Sequence, residues 1–349
     1  MTSSHRVIKA FAAHKPGLQV APFQFEAQPL GHQDVEIAIS HCGICASDVQ
    51  AITAGDPFSE YPLVPGHEIV GTVKAIGSGV TTHAIGDRVG VSGMIYSCQD
   101  KETCYECSID KEPHCSKVLF AYGSTYPDGE PTRGGFADYI RVLSNCAYKI
   151  PESIPSDVAA PLLCAGLTVY APLKQYVKPG HRVGVVGIGG LGHVALQFAR
   201  ALGGNPVAFS HSPNKEQAAR ELGAVEFVNM NNAEDVVKAR RSVDVLLVTA
   251  NSKGQPYDAY LSLIRVGGTL IMVGLTADSM SFHPSSLIYG SINIVGSLIG
   301  GPKDAKEMLA LAAEKNVRPR IQKLPMREVN TGIRLVKEGT ARYRVVLEN

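Results

Sequence analysis

The chain of 349 residues contains no Trp, no excess of either charge and no stretch of about 18 uninterrupted apolar residues. Its 33 Lys and Arg nearly balance 32 Asp and Glu, for a formal net charge of +1. That balance supplies neither a basic field for nucleic acid nor an acidic tail, so nucleic-acid binding is not the expected main role. Met1 to Phe11 carries no apolar segment long enough for a secretory signal, and no membrane span is expected. The expectation is a soluble, cytoplasmic protein with no internal repeat and no low-complexity segment. At about 100–200 residues per domain, the length suggests two domains.

Cysteine is not scarce. The chain has Cys42, Cys45, Cys98, Cys104, Cys107, Cys115, Cys146 and Cys164. Without a secretory signal, metal binding is favoured over a disulfide framework. Glycine, at 35 residues, exceeds the usual share of about 7% and suits tight turns or close backbone approaches to a ligand.

From Val35 to about Val91, short β-rich runs (VEIAI, EIVGTVKAI, DRVGV) alternate with Gly, Pro and Asp, the pattern of an antiparallel or barrel-like region. From about Ser156, strand-like HRVGVVGIG, NPVAFS, VEFVN, VDVLLVTA and GGTLIMVGL alternate with helical stretches. That alternation predicts βαβ units and a doubly wound parallel sheet, an α/β fold. The closing YRVVLE is too short to stand alone and is expected to pair back onto the first domain.

Gly187, Ile188, Gly189, Gly190, Leu191 and Gly192 follow the apolar strand Arg182 to Val186 and open the helical stretch His193 to Leu202. A G-x-G-x-x-G pattern means little alone, but here the strand before and the helix after are both in place. The glycines let the chain turn against a pyrophosphate lodged at the helix N-terminus. An NAD site usually carries Asp or Glu about 20 residues on. Here the second strand ends in Ser210, followed by His211, Ser212, Pro213, Asn214 and Lys215. A carboxylate would repel a 2′-phosphate, whereas hydroxyls and a Lys can bind one, so NADP(H) is the expected cofactor. The plainer alternative is a solvated turn.

Cys98, Cys104, Cys107 and Cys115 fall within eighteen positions, the spacing of a closed, structural Zn²⁺ site. A dispersed set comprises Cys45 in GICASD, His67 and Glu68 in PGHE, and Cys164 in LLCAG. Each has a bland reading singly, because a Cys among leucines is usually a core residue.

Together these motifs resemble the zinc-containing medium-chain alcohol dehydrogenases, in particular their cinnamyl-alcohol-dehydrogenase-like, NADP-dependent branch. The resemblance runs through GIC-x-SD, PGHE-x-VG-x-V, GDRVGV, the Cys cluster, GGFADY, AAPLLCAGLTVY, GIGGLG, VGGTLIMVG, GS-x-IG and ARYR. It implies a β-rich GroES-like catalytic domain (1–154 and 297–349) and a Rossmann NADP-binding domain (155–296). It further implies that Cys45, His67 and Cys164 hold a catalytic Zn²⁺, with Glu68 as a transient ligand, Ser47 as the proton-relay hydroxyl and Asp48 as a supporting carboxylate. Spacing alone leaves Cys42 open in place of Cys45. Thr168, Thr249, Gly274, Ser297 and Ile299 are implied as further cofactor contacts beside Ser47, and Met94 and Ile95 as candidates for the pocket wall. The implied reaction moves a hydride between NADPH and the carbonyl carbon of an aromatic, allylic or aliphatic aldehyde, in a homodimer with two Zn²⁺ per chain.

Two departures stand out. The family spaces its cluster C-x2-C-x2-C-x7-C, whereas Gln99 to Thr103 insert three extra residues here, so the expectation is a looser lobe or a changed ligand. The family commonly has His three residues after the relay hydroxyl; this chain has Gln50, which cannot exchange a proton as imidazole does. Two other readings compete: a biosynthetic relative reducing a conjugated C=C or iminium bond, and a non-catalytic NADPH-binding redox sensor. Retention of both metal sets argues against each.

Overall fold

The computed structural model describes residues 6–54, 60–250, 252–275 and 279–349. They form two compact units: Met1–Cys164 with Gly300–Ala313 and Pro319–Asn349, and Ala165–Ile299 with Glu314–Arg318.

The first unit is built on the long strand Asp34–Ile44, which pairs antiparallel with Glu68–Ile76 along one edge. Its other edge is shared: Asp34 to Ala38 pair with Tyr139–Leu143, and His41 to Ile44 pair with Arg344–Glu348. The C-terminal strand therefore returns to the first sheet. That sheet runs Ile321–Pro325, Arg344–Glu348, Asp34–Ile44, Glu68–Ile76, Arg88–Val91, Ala147–Lys149, with Tyr139–Leu143 off the path. Val35, Ile37, Ile69, Val73, Val89, Val91, Val345 and Leu347 are buried beneath it. Burying each such β-branched or leucine side chain contributes about 1.5–3 kcal/mol, and the branched ones also fit the pleat. Register shifts between Glu36 and Ile37 and between Ile39 and His41 bend the long strand.

One element within this β region was not expected: the helix Ala46–Ala54. It starts because the Asp48 carboxylate, in the first turn, accepts the Cys45 backbone N–H at 2.7 Å, one half of a capping box.

The second unit holds a six-stranded sheet in the order Glu226–Asn229, Asn205–Ser210, Arg182–Val186, Val243–Val248, Ile264–Met272, Asn293–Gly296. Every neighbouring pair is parallel. Numbered along this unit, the order is 3-2-1-4-5-6, the doubly wound arrangement expected. The strands read as continuous apolar runs because both faces are covered: Val183, Val185, Val186 and Val245 to Val248 are all buried. The order reverses between Arg182–Val186 and Val243–Val248, opening a crevice at their carboxyl ends.

The helical run Ser156–Tyr176 is long and apolar enough to cross a membrane by length and composition, yet 67% of its apolar window is buried in the protein. It is interrupted by a π-turn at Leu162–Gly166.

Candidate active site

In the first unit Cys45, His67, Glu68 and Cys164 bring one ligand atom each within 4.8 Å of one another. Three local features put them there. Cys45 ends the long strand and begins the helix Ala46–Ala54, so its side chain sits at the corner between them. His67 enters the strand Glu68–Ile76 through Gly66, whose φ of +103° and whose lack of a side chain against Phe136 both require glycine. Cys164 lies at the middle of the π-turn, where the wider helical turn takes it out of the regular α-helical register.

The Asp48 carboxylate organises the group. Its Oδ1 accepts from the Gly66 N–H at 3.0 Å and faces His67 Nδ1 at 2.8 Å, while Oδ2 takes the Cys45 N–H. A carboxylate at that distance places the proton on Nδ1 and leaves Nε2 facing the thiols, 3.1 Å from Cys164 Sγ. Cys164 Sγ is 3.9 Å from Cys45 Sγ. Burial opposes charge on His67, but Asp48 and Cys45 outweigh it and raise the ring to about 10. Cys45 is held well below the ordinary thiol range by its hydrogen bond from Cys164, against burial, with Arg344 and His67 adding to the effect. Two thiols, one readily ionised, and an oriented imidazole nitrogen form an N/S donor set that suits tetrahedral Zn²⁺.

Glu68 is fully buried and pairs through Oε1 with the Arg344 guanidinium; its Oε2 has no hydrogen-bond partner. A Cβ at Gly43 would lie 1.9 Å from that Oε2, so glycine there makes room for the carboxylate. Arg344 falls in the ARYR motif, but sequence reading gave it no role. Cys42, left open by spacing, is buried in the strand beside Gly66 and Gly135 and outside the four-residue group. Burial pushes its thiol well above the ordinary range.

Ser47 is exposed, with Oγ 3.6 Å from Cys45 Sγ, and Gln50 is exposed on the same helix. Met94 and Ile95, expected at a pocket wall, are 1% and 2% exposed, and Ile95 belongs to the hydrophobic core, so they offer a ligand almost no surface. The space beside the His67 ring belongs instead to Gly93, Phe120 and Tyr122. No spacing signal marked these three.

Cys98, Cys104, Cys107 and Cys115 also converge, their sulfurs within 4.8 Å of one another. The Sγ separations of 3.4 Å for Cys98–Cys115 and 3.6 Å for Cys98–Cys107 are far beyond a disulfide bond. The inserted residues do not loosen the cluster. Asp100 accepts the Glu102 and Thr103 N–H groups at 2.9 Å, folding the insertion into a turn that delivers Cys104. Asp110 then ties the lobe down through Lys101 and Lys303 at 2.7 and 2.9 Å.

In the second unit, Gly187 has φ +87° and a Cβ at Gly192 would sit 1.9 Å from the Gly187 carbonyl, so only glycine permits this close turn into the helix Gly192–Ala201. Ile188, Gly189, Gly190 and Leu191 complete the loop, with Lys215 Nζ donating to the Ile188 carbonyl at 2.9 Å. Ser210 Oγ accepts the Ser212 N–H at 3.1 Å, and His211 pairs with Asn231. Thr249 donates to the Val186 and Gly187 carbonyls across the switch point. Gly274 packs on the Ala250 carbonyl, Ser297 N–H bonds Met272 O at 3.0 Å, and Ile299 follows two residues on. Gly187, Ser210, Thr249, Gly274 and Ser297 thus all follow or close carboxyl ends of the parallel strands. Thr168 is half-buried near the start of the helix Leu167–Tyr176.

Residues 31–152 match the alcohol dehydrogenase GroES-like domain family, and residues 190–314 match the zinc-binding dehydrogenase family. The chain is 41% identical over 340 residues to the probable cinnamyl alcohol dehydrogenase 3 of Oryza sativa subsp. japonica, covering 97% of this chain and 92% of the rice protein. It resembles the solved cinnamyl alcohol dehydrogenase of Sorghum bicolor with a TM-score of 0.93, 35% identity and 98% coverage of each chain. The CAD from Helicobacter pylori, solved in complex with NADP(H), gives a TM-score of 0.90 at 32% identity, covering 99% of this chain and 98% of that one. The chain therefore belongs to the zinc-binding medium-chain alcohol dehydrogenases, with a GroES-like domain, a Rossmann domain and the oxidoreductase chemistry of that family.

Proposed function

We propose that this protein is a zinc-dependent NADP(H) alcohol dehydrogenase working chiefly as an aldehyde reductase on aromatic, allylic or aliphatic aldehydes. The observation that carries the reading is the convergence of Cys45, His67 and Cys164 with His67 Nε2 aimed at both thiols. These three would hold the catalytic Zn²⁺, with Glu68 able to replace one ligand transiently. Cys98, Cys104, Cys107 and Cys115 would hold a second, structural Zn²⁺. The cofactor would be NADP(H), gripped by the Gly187–Gly192 loop, by Thr168, Thr249, Gly274, Ser297 and Ile299, and at its 2′-phosphate by Ser210, His211, Ser212 and Lys215.

When bound, Zn²⁺ supplies a Lewis acid for the substrate oxygen and NADPH supplies the hydride. The chain's own residues do the rest. Asp48 fixes the His67 tautomer, and Arg344 balances the Glu68 carboxylate. Ser47, two residues after Cys45 and with Oγ 3.6 Å from its Sγ, would hand a proton to the substrate oxygen. Gln50 can orient the cofactor ribose but cannot itself pass the proton.

The catalytic part would comprise 1–154 and 297–349 and the cofactor part 155–296, except that 155–164 group with the first unit, and 297–299 and 314–318 with the second. A cytoplasmic homodimer completes the reading. Its support is family analogy and the apolar sheet edge Ser291 to Val295, where, among the described residues, Asn293–Gly296 pairs on one side only. The decisive experiment measures zinc per chain together with NADPH oxidation in the presence of cinnamaldehyde or benzaldehyde. A protein that binds NADPH and zinc but reduces neither these nor an aliphatic aldehyde refutes the reductase reading.

A further inference from the structure

Tyr122 has no part in the reading above, yet its hydroxyl oxygen lies 3.1 Å from His67 Nδ1, the ring nitrogen turned away from the thiols. Its ring meets the imidazole edge-on, with centroids 5.7 Å apart and planes inclined at 60°. The same hydroxyl lies beside the buried Asp48 carboxylate. The segment carrying it is pinned, because the Ala121 N–H donates to the Gly93 carbonyl at 2.8 Å.

We propose that Tyr122 is a positioning residue: its hydroxyl clamps the Asp48–His67 pair and so fixes the Nε2 lone pair on the metal side. This rests on the proposed ligation by Cys45, His67 and Cys164. The chemistry of the three groups settles who donates. With a carboxylate oxygen 2.8 Å away, Nδ1 carries the ring proton. A lone pair on the Tyr122 oxygen can then face Nδ1–H, which leaves its O–H to be donated toward the neighbouring Asp48 carboxylate. A phenol keeps its proton at neutral pH, so the hydroxyl remains a donor. The hydroxyl adds a further donor to those already on Asp48, from the Gly66 and Cys45 N–H groups and His67. A carboxylate held from this many sides cannot swing away from Nδ1. The imidazole, wedged between Asp48 and the Tyr122 ring, cannot flip about its Cβ–Cγ bond. Groups that hold a metal-binding histidine in this way typically govern about 10–100-fold in metal affinity.

The test is release of zinc from the purified full-length protein to a chromogenic chelator, with Tyr122→Phe deleting the hydroxyl and keeping the ring. One zinc per chain should leave about 10–100-fold faster, the other at the parent rate, with kcat lowered and the KM for NADPH unchanged. Combined with Asp48→Asn, the effects should fall well short of multiplying, because both act through one hydrogen-bonded unit. Parent-like release from Tyr122→Phe, or full multiplication in the double variant, overturns the proposal. If Tyr122→Phe does not fold, 3-fluorotyrosine at position 122 replaces it. That analogue keeps the hydroxyl and should hold zinc like the parent, and 4-fluorophenylalanine, which lacks it, should not; equal retention by the two overturns the proposal. Cys45→Ser separates the two levels. If it leaves the zinc content of the parent unchanged, the ligation reading itself has failed. If it removes one zinc while Tyr122→Phe changes nothing, only the role of Tyr122 has.

Discussion

Asp48 and His67 meet at 2.8 Å across nineteen residues of chain. One carboxylate thereby joins the start of a helix, through the Cys45 N–H, to the start of a strand, through the Gly66 N–H. Both proposed ligands from this part of the chain are oriented by the same buried group, and the consequences are measurable.

Two zinc ions per chain are expected. Cys45→Ser should reduce the content to about one and abolish turnover while the protein stays folded. Cys107→Ser should mainly harm folding, because a closed structural site contributes directly to stability. Elemental analysis with thermal melts checks both, and a parent protein holding a single zinc that Cys45→Ser leaves in place excludes a catalytic metal at Cys45.

NADPH should be strongly preferred over NADH. Ser210 is buried at the end of its strand, with its hydroxyl bonded to the Ser212 N–H, and a carboxylate placed there would repel the 2′-phosphate that the turn is proposed to hold. Ser210→Asp should raise the KM for NADPH far more than that for NADH. Equal use of both cofactors by the unmodified protein refutes this assignment.

Ser47→Ala should lower kcat by about 10²–10⁴-fold with both zincs retained, the usual contribution of a positioned proton-transfer group. Gln50→Ala should cost little, and Gln50→His should add a titration near neutral pH to the kcat profile. Full activity in Ser47→Ala, or a folded but inactive Gln50→Ala, moves the proton path elsewhere.

Gly43→Ala tests the room left for Glu68. The new methyl would meet Glu68 Oε2 at 1.9 Å, and Glu68 is fully buried against Arg344, so the pair must shift. Overpacking of this kind costs about 1–3 kcal/mol. Denaturant unfolding should show that loss, and an unchanged midpoint would mean that the carboxylate has a second place to go.

Much of this was legible in the residues. The Gly187–Gly192 loop declared itself because a strand, a glycine turn and a helix must be contiguous to hold a pyrophosphate, and the four-cysteine lobe because its members lie within eighteen positions. Alternation of apolar strands with helices was enough for a doubly wound sheet, since period-2 and period-3.6 patterns are local properties of the chain. The helix Ala46–Ala54 escaped notice because its start depends on Asp48 reaching back to Cys45, an interaction that composition does not display. Spacing could not choose between Cys42 and Cys45, three residues apart. The tertiary structure separates them: Cys45 sits at the corner beside His67 and Cys164, while the Cys42 thiol packs against glycines inside the sheet, which supports the proposed ligation by Cys45. Nor could the sequence find Tyr122 or Arg344. Tyr122 Oη reaches His67 Nδ1 across 55 positions, and Arg344 reaches Glu68 across 276. Such contacts follow from how the strands pair and the loops return, so the chain encodes them only through its fold.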